Sequence, residues 1–259
     1  MNEPLHPITQ VPFSVEAFSC QKHGNASTEY EDAWAIRGSD SPNRCRVAVA
    51  DGATESSFSA LWAALLVESF VRRRSTGPDF FEDLGAVRRL WWGKIRKRKL
   101  PWYAAEKARK GAYAAFVGLS INAVNRAWRA VAIGDCCLFQ VDGLTLKHAF
   151  PLTRSEEFGS SPFLVGSVQK PDDDPRSHVR VSEGTFNGKD TLFFASDALA
   201  AWLLRRAEKG EPAWEWISAG VQTPQDFELL VAQAREEGTR NDDMTLVRLA
   251  RRAAPKNGT

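Results

Sequence analysis

The sequence predicts an α+β fold in which antiparallel sheets carry helices on their outer faces. Two observations support this. Neighbouring apolar runs are joined by short turns such as Asp142-Gly143 rather than by crossover helices, and short turns join antiparallel partners. The order is strands, long helices, several strands, then helices and a last strand. This differs from the strict alternation of a parallel α/β sheet.

Residues 13–20 alternate as a half-buried strand does, and a polar loop, Gly24 to Tyr30, follows. Asp32 to Ile36 reads as the next strand, then a turn over 39–43, then a strand over 45–50 that runs into Asp51-Gly52. Beyond it Phe58, Leu61, Trp62, Leu65, Leu66, Phe70 and Val71 fall at spacings of three and four, one apolar face of a helix. Thr54, Ser56 or Ser57 is placed to cap it. The string Ser75-Thr76-Gly77-Pro78 ends that helix; a second is expected over Asp79 to Lys99 and, past Pro101, a third over Tyr103 to Lys110. Gly111 to Asn122 is small and apolar. Ala127 to Ile133 and Cys137 to Val141 read as paired strands joined tightly by Gly134-Asp135, and Asp142-Gly143 turns into a strand over Leu144 to Phe150. The polar span 153–178 reads as a long loop with room for one strand. A strand over 191–195, helices over 198–209, 213–219 and 224–236, a closing strand over 244–250 and a frayed tail complete the chain.

At 259 residues, with no internal repeat and no linker richer than the 153–178 loop, a single domain over 1–259 is expected. A formal charge of +2 gives no global attraction to polyanions. The stretch from Met1 to Phe18 has no apolar run of signal-peptide length, and nothing approaches the roughly 20 apolar residues of a membrane span. Cys20, Cys45, Cys136 and Cys137 lack CxxC spacing, which reads as reduced thiols in a cytoplasmic protein.

Short acidic strings beginning or ending apolar runs carry the chemistry: Glu31-Asp32-Ala33, Val49-Ala50-Asp51-Gly52, Gly134-Asp135, Ser196-Asp197 and Asp242-Asp243-Met244-Thr245. Carboxylates held at strand ends suit hard divalent cations, which take oxygen ligands. In isolation each has a plainer reading: Asp51-Gly52 a turn, Ser196-Asp197 a helix N-cap, Asp242-Asp243 a charged guard on an edge strand. In this order, across about residues 15 to 250, the strings resemble those of the metal-dependent protein Ser/Thr phosphatases of type 2C, in their compact bacterial branch. The resemblance implies a four-layer αββα sandwich with two Mg²⁺ or Mn²⁺ ions in a cleft at one edge. It implies that Asp51 bridges both ions, that the Gly52 carbonyl and Glu31 serve one, and that Asp197 and Asp242 serve the other. Asp32 would hold a metal-bound water, and Asp135 would help hold a third, weaker ion. The activity implied is hydrolysis of phosphoserine or phosphothreonine in proteins by in-line attack of a metal-bridging hydroxide, opposing a cognate kinase.

The chain departs from the family at several positions. Ser27 stands where relatives carry a phosphate-gripping arginine, with Lys22 and His23 in the same loop as substitutes, and Ala53 stands where some carry a histidine. Cys136, Ala198 and Asp243 replace the family's Ser, Gly and Asn. These keep open a catalytically weak regulatory or phosphoprotein-binding member of the same fold. The stretch 88–110 holds ten Lys and Arg against the single acid Glu106, with Trp91, Trp92 and Trp102 among them. It reads as a solvated helix face with core aromatics; a nucleic-acid surface on a two-metal hydrolase, and steering of phosphorylated protein, are the alternatives. His23, His148 and His178 lack ligand spacing, and the tryptophans are expected to pack between helices and sheets.

Overall fold

The structure is a computed structural model describing residues 13–38, 43–72, 77–82, 84–159, 161–170 and 174–251. Residues 39–42 of the turn expected over 39–43, the helix break at Ser75-Thr76, positions 171–173 and the tail 252–259 lie outside the described residues, as does 1–12. The strands are β1 (Phe13–Cys20), β2 (Ala33–Gly38), β3 (Arg44–Gly52), β4 (Tyr113–Asn122), β5 (Ala127–Ile133), β6 (Cys137–Asp142), β7 (Thr145–Phe150), β8 (Val165–Gly166), β9 (Arg180–Thr185), β10 (Asp190–Ala195) and β11 (Met244–Arg251). The helices are α1 (Ser59–Arg72), α2 (Asp79–Glu82), α3 (Gly85–Arg96), α4 (Trp102–Lys110), α5 (Asp197–Glu208), α6 (Ala213–Glu215) and α7 (Pro224–Glu236), with a π turn over Trp216–Gly220 after α6.

Two antiparallel sheets face each other, one in the order β1-β11-β10-β6-β7 and the other β2-β3-β4-β5-β9, with β8 beside β4. Alternate side chains of a strand point to opposite faces, so strands covered on both faces must be apolar throughout. Val47 and Val49 of β3 meet Leu192 and Phe194 of β10 and Val247 and Leu249 of β11 between the sheets. The intervening Ala48 and Ala50 lie under Trp62, Leu66 and Phe70 of α1. On the opposite outer face Phe193 and Leu246 lie under Trp202 and Leu203 of α5 and Phe227 of α7. The result is helices, sheet, sheet, helices: the expected four layers. No described helix is long and apolar enough to cross a membrane.

Several expectations are corrected. β5 and β6 do not pair: β5 lies between β4 and β9, β6 between β10 and β7. Gly134-Asp135 is therefore a crossover between sheets. The helix expected over Asp79 to Lys99 is two, α2 and α3. β9 lies in a stretch the sequence left unassigned, and the helix expected over 213–219 is a single turn running into the π turn. Thr54, Ser56 and Ser57 stand outside the start of α1; Ser56 Oγ instead donates to the Ala53 carbonyl at 2.8 Å and accepts from the Tyr113 N–H at 3.1 Å. Trp102 is 79% exposed, the exception to the packed tryptophans.

Candidate metal centre

Strand register brings the acids together. Ala33 pairs with Ala50 across β2 and β3, so Glu31 and Asp32, just before β2, come alongside Asp51 and Gly52, which close β3. In the other sheet Ala195 pairs with Leu246 and with Cys137. Asp197, past the end of β10, thus stands level with Asp242 and Asp243 before β11 and with Asp135 before β6. The crossover carrying Asp135 needs a glycine: Gly134 has φ +89°, and a Cβ there would lie 2.7 Å from that of Ala115. Asp51, Gly52, Asp135, Asp197 and Asp242 line one cleft of about 530 Å³, with Lys22, Arg240 and the Pro162 loop on its walls.

Glu31 and Asp32 lie behind it. Glu31 accepts from Ser59 Oγ at the start of α1. Asp32 is 3% exposed; its Oδ2 accepts from Thr245 Oγ1 at 2.7 Å, while its Oδ1 is buried with no hydrogen-bond partner among the described residues. Asp243 plays a different part from its neighbour. Its Oδ1 accepts from the Lys22 N–H at 2.8 Å and its Oδ2 from the Glu31 N–H at 2.7 Å, tying the β1–β2 loop to β11. It guards no edge, because β11 runs between β1 and β10.

Crowding sets the electrostatics. Burial, followed by the charges of Asp32, Asp197, Asp242 and Asp135, raises the Asp51 carboxyl well above the usual range. Burial pushes Asp32 up to about 7, with Asp243 and Asp197 adding to it and the Thr245 bond opposing. Burial and then Asp197 take Asp135 to about 7. Asp197 is raised by burial against the pull of Arg240. Asp242 is the exception: burial works to raise it, but the bond from Lys22 and the charge of Arg240 prevail and hold it below the usual range.

Those two cations were underweighted in the sequence. Arg240 Nη2 lies 2.8 Å from Asp197 Oδ2 and also reaches Asp242 Oδ2. Lys22 Nζ lies 2.9 Å from Asp242 Oδ1 and 3.6 Å from Glu31 Oε2, and donates to Thr54 Oγ1. Ser27 is exposed in a 3-10 turn and does not line the cleft, whereas Ala53 does. Lys22 was visible as a candidate from its loop; an arginine two residues before Asp242 reads as ordinary loop charge.

Among the described residues no three His, Cys, Asp or Glu side chains are grouped so that they could hold a metal ion as they stand. The donor set nonetheless fits hard divalent cations. It is all oxygen, Asp51 has no salt-bridge partner among the described residues, and the Asp32 Oδ1 atom lacks a donor. Gathered carboxylates without full counter-charge are costly, and a divalent cation relieves that cost. Gly52 fits as well: a Cβ there would lie 2.7 Å from the Glu31 carbonyl oxygen, so the close approach of these two segments needs glycine.

No protein-family model and no curated protein matches the chain. Solved structures do. The serine/threonine phosphatase Stp1 from Staphylococcus aureus matches with a TM-score of 0.64 at 11% identity, over 98% of this chain and 99% of that one. A bacterial serine phosphatase matches with 0.61 at 12%, over 93% and 99%, and RsbX in complex with magnesium with 0.50 at 14%, over 92% and 94%. The chain therefore has the fold of the type 2C-like bacterial serine/threonine phosphatases, as the acidic strings implied.

Proposed function

We propose that this chain is a Mg²⁺- or Mn²⁺-dependent phosphatase acting on phosphoserine or phosphothreonine in proteins, built as one domain over about residues 15 to 250. The observation that carries the reading is the meeting of Asp51, Asp135, Asp197 and Asp242 from separate strand ends in one cleft. The fold neighbours, phosphatases among which RsbX was solved with magnesium, support the same class. Asp51 would bridge two ions, with the Gly52 carbonyl and Glu31 serving one, Asp197 and Asp242 the other, and Asp135 a third. Bound there, such ions supply a water activated near neutral pH and neutralise phosphoryl oxygens.

The chain's own groups do the rest. Asp32, whose Oδ1 has no hydrogen-bond partner among the described residues, is suited to hold the nucleophilic water at that atom. Lys22, on the cleft wall, supplies positive charge for the substrate phosphate where Ser27 supplies none. The partners on this reading are a phosphorylated protein and the kinase that made it. The four cysteines are free, which supports a reducing compartment such as the cytoplasm.

Hydrolysis of a phosphothreonine peptide by the wild type and by Asp51→Asn, each with Mn²⁺ and with chelator, tests the proposal. Turnover is expected only with metal, and the variant is expected to lose at least about a hundredfold, since the shared ligand is gone. A second reading, a regulatory member with little catalysis, is favoured by Ser27, by Ala53 and by the hold of Arg240 on Asp197 and Asp242. Metal binding without turnover would establish it.

A further inference from the structure

The charge of this chain is unevenly distributed. Residues 88–110 hold ten of its 34 Lys and Arg and one of its 32 Asp and Glu, so the near-neutral whole conceals a strongly cationic side. The structure puts one end of that side against the carboxylate cleft. A second cavity of about 330 Å³ is lined by Lys107, Lys110 and Tyr113, and it shares Ala53, Glu55 and Leu164 with the cleft. The two are therefore compartments of one groove.

The junction is held in place. The Ala53 N–H donates to the Tyr113 carbonyl at 2.9 Å, and the Tyr113 N–H donates to Ser56 Oγ at 3.1 Å. The loop that follows Asp51-Gly52 is thus bonded to the chain leaving α4. Lys107 and Lys110 are three residues apart on α4 and share a face. Both are exposed, and among the described residues neither makes an ion pair. Lys170 Nζ adds a further cation 4.8 Å from the Tyr113 ring centroid. Glu55 is exposed on the shared rim, where it repels an acid placed right beside the cleft.

We propose that this second compartment is a substrate subsite for an acidic side chain on one flank of the phosphorylated residue. It would be read by Lys107 and Lys110 at least two positions away, beyond Glu55. The subsite rests on the phosphatase reading for what occupies the neighbouring cleft. Its occupant is a segment of acidic polypeptide, matched by charge to Lys107 and Lys110, which make no ion pair among the described residues.

The test uses phosphothreonine peptides with Glu, or Gln as the neutral control, at two to four positions on either side. Wild type is compared with Lys107→Gln/Lys110→Gln, with turnover and fluorescence-anisotropy binding measured on the same preparations. Glu on one side only is expected to raise kcat/KM about five- to tenfold through KM, as two exposed ion pairs can. The ratio of acidic to neutral peptide is expected to fall to about one in the double variant. The preference should also shrink at high salt, and Lys107→Glu/Lys110→Glu should turn it toward a Lys-bearing peptide. Equal hydrolysis and equal binding of acidic and neutral peptides would overturn the subsite while leaving the phosphatase reading intact. No hydrolysis of any peptide, with tighter binding of the acidic one by wild type only, would do the reverse. A single-stranded oligonucleotide that displaces the labelled acidic peptide at lower concentration than unlabelled peptide does would overturn the subsite in favour of nucleic acid.

Discussion

Arg240 is the residue whose position matters most for the cleft. It holds Asp197 and Asp242 together, the same two carboxylates proposed to serve one ion. An incoming cation must take those oxygens from a guanidinium. Arg240 is 60% exposed at its side chain, so solvent screening keeps its hold modest. Arg240→Ala is expected to bind Mn²⁺ several-fold more tightly in calorimetric titration, even if catalysis does not improve. Unchanged or weaker binding would show instead that the arginine organises the ligands for the ion. Lys22 pairs with Asp242 and Glu31 and makes a useful second arm: Lys22→Ala should shift Mn²⁺ affinity in the same direction.

At the scale of elements, the end of β3 is wedged between the chain entering β2 and the start of α1. A Cβ on Gly52 would lie 2.7 Å from the Glu31 carbonyl oxygen and 2.9 Å from the Ser59 carbonyl carbon. Both are backbone atoms, which cannot rotate aside. Gly52→Ala is therefore expected to cost about 1–3 kcal/mol in denaturant unfolding and to weaken Mn²⁺ binding; a variant as stable as wild type would show that β2 and α1 can part there. This wedge was legible, because Asp51-Gly52 follows an apolar run directly. The strands buried on both faces were legible for the same reason. β9 was not: Arg180-Val-Ser-Glu-Gly-Thr185 is an edge strand in which no residue is fully buried, so it carries no apolar period. The partners of β5 and β6 were misread because alternation fixes which face is buried but not which strand lies alongside, and a tight glycine turn can cross between sheets as well as form a hairpin. The acids were found by their place at strand ends. Arg240 was missed because only folding brings a loop arginine over two of them.

At the scale of the whole molecule, the acids stand where the two sheets meet, so their ionisation acts on the stability of the entire sandwich. Asp32 and Asp135 sit near 7 in the folded protein and Asp51 well above its usual range, against an ordinary aspartate near 4 when unfolded. Between those limits the folded state binds more protons than the unfolded one, so stability falls as pH rises. The contribution is complete below about pH 4 and is lost as pH climbs through about 7. Without metal, the melting temperature is therefore expected to drop between pH 5 and 8, on the order of 10 °C for a chain of this size. Divalent ions bind the ionised carboxylates, so Mn²⁺ should offset the loss most strongly at the alkaline end, by about 2.7 kcal/mol at a hundredfold excess over Kd. Thermal melts across this range with chelator and with Mn²⁺ should therefore diverge as pH rises, and Asp51→Asn should flatten the chelator curve by removing one of the crowded charges. A chelator curve that climbs from pH 5 to 8 would mean that Lys22 and Arg240 already neutralise the cluster, leaving little electrostatic drive for an ion to enter.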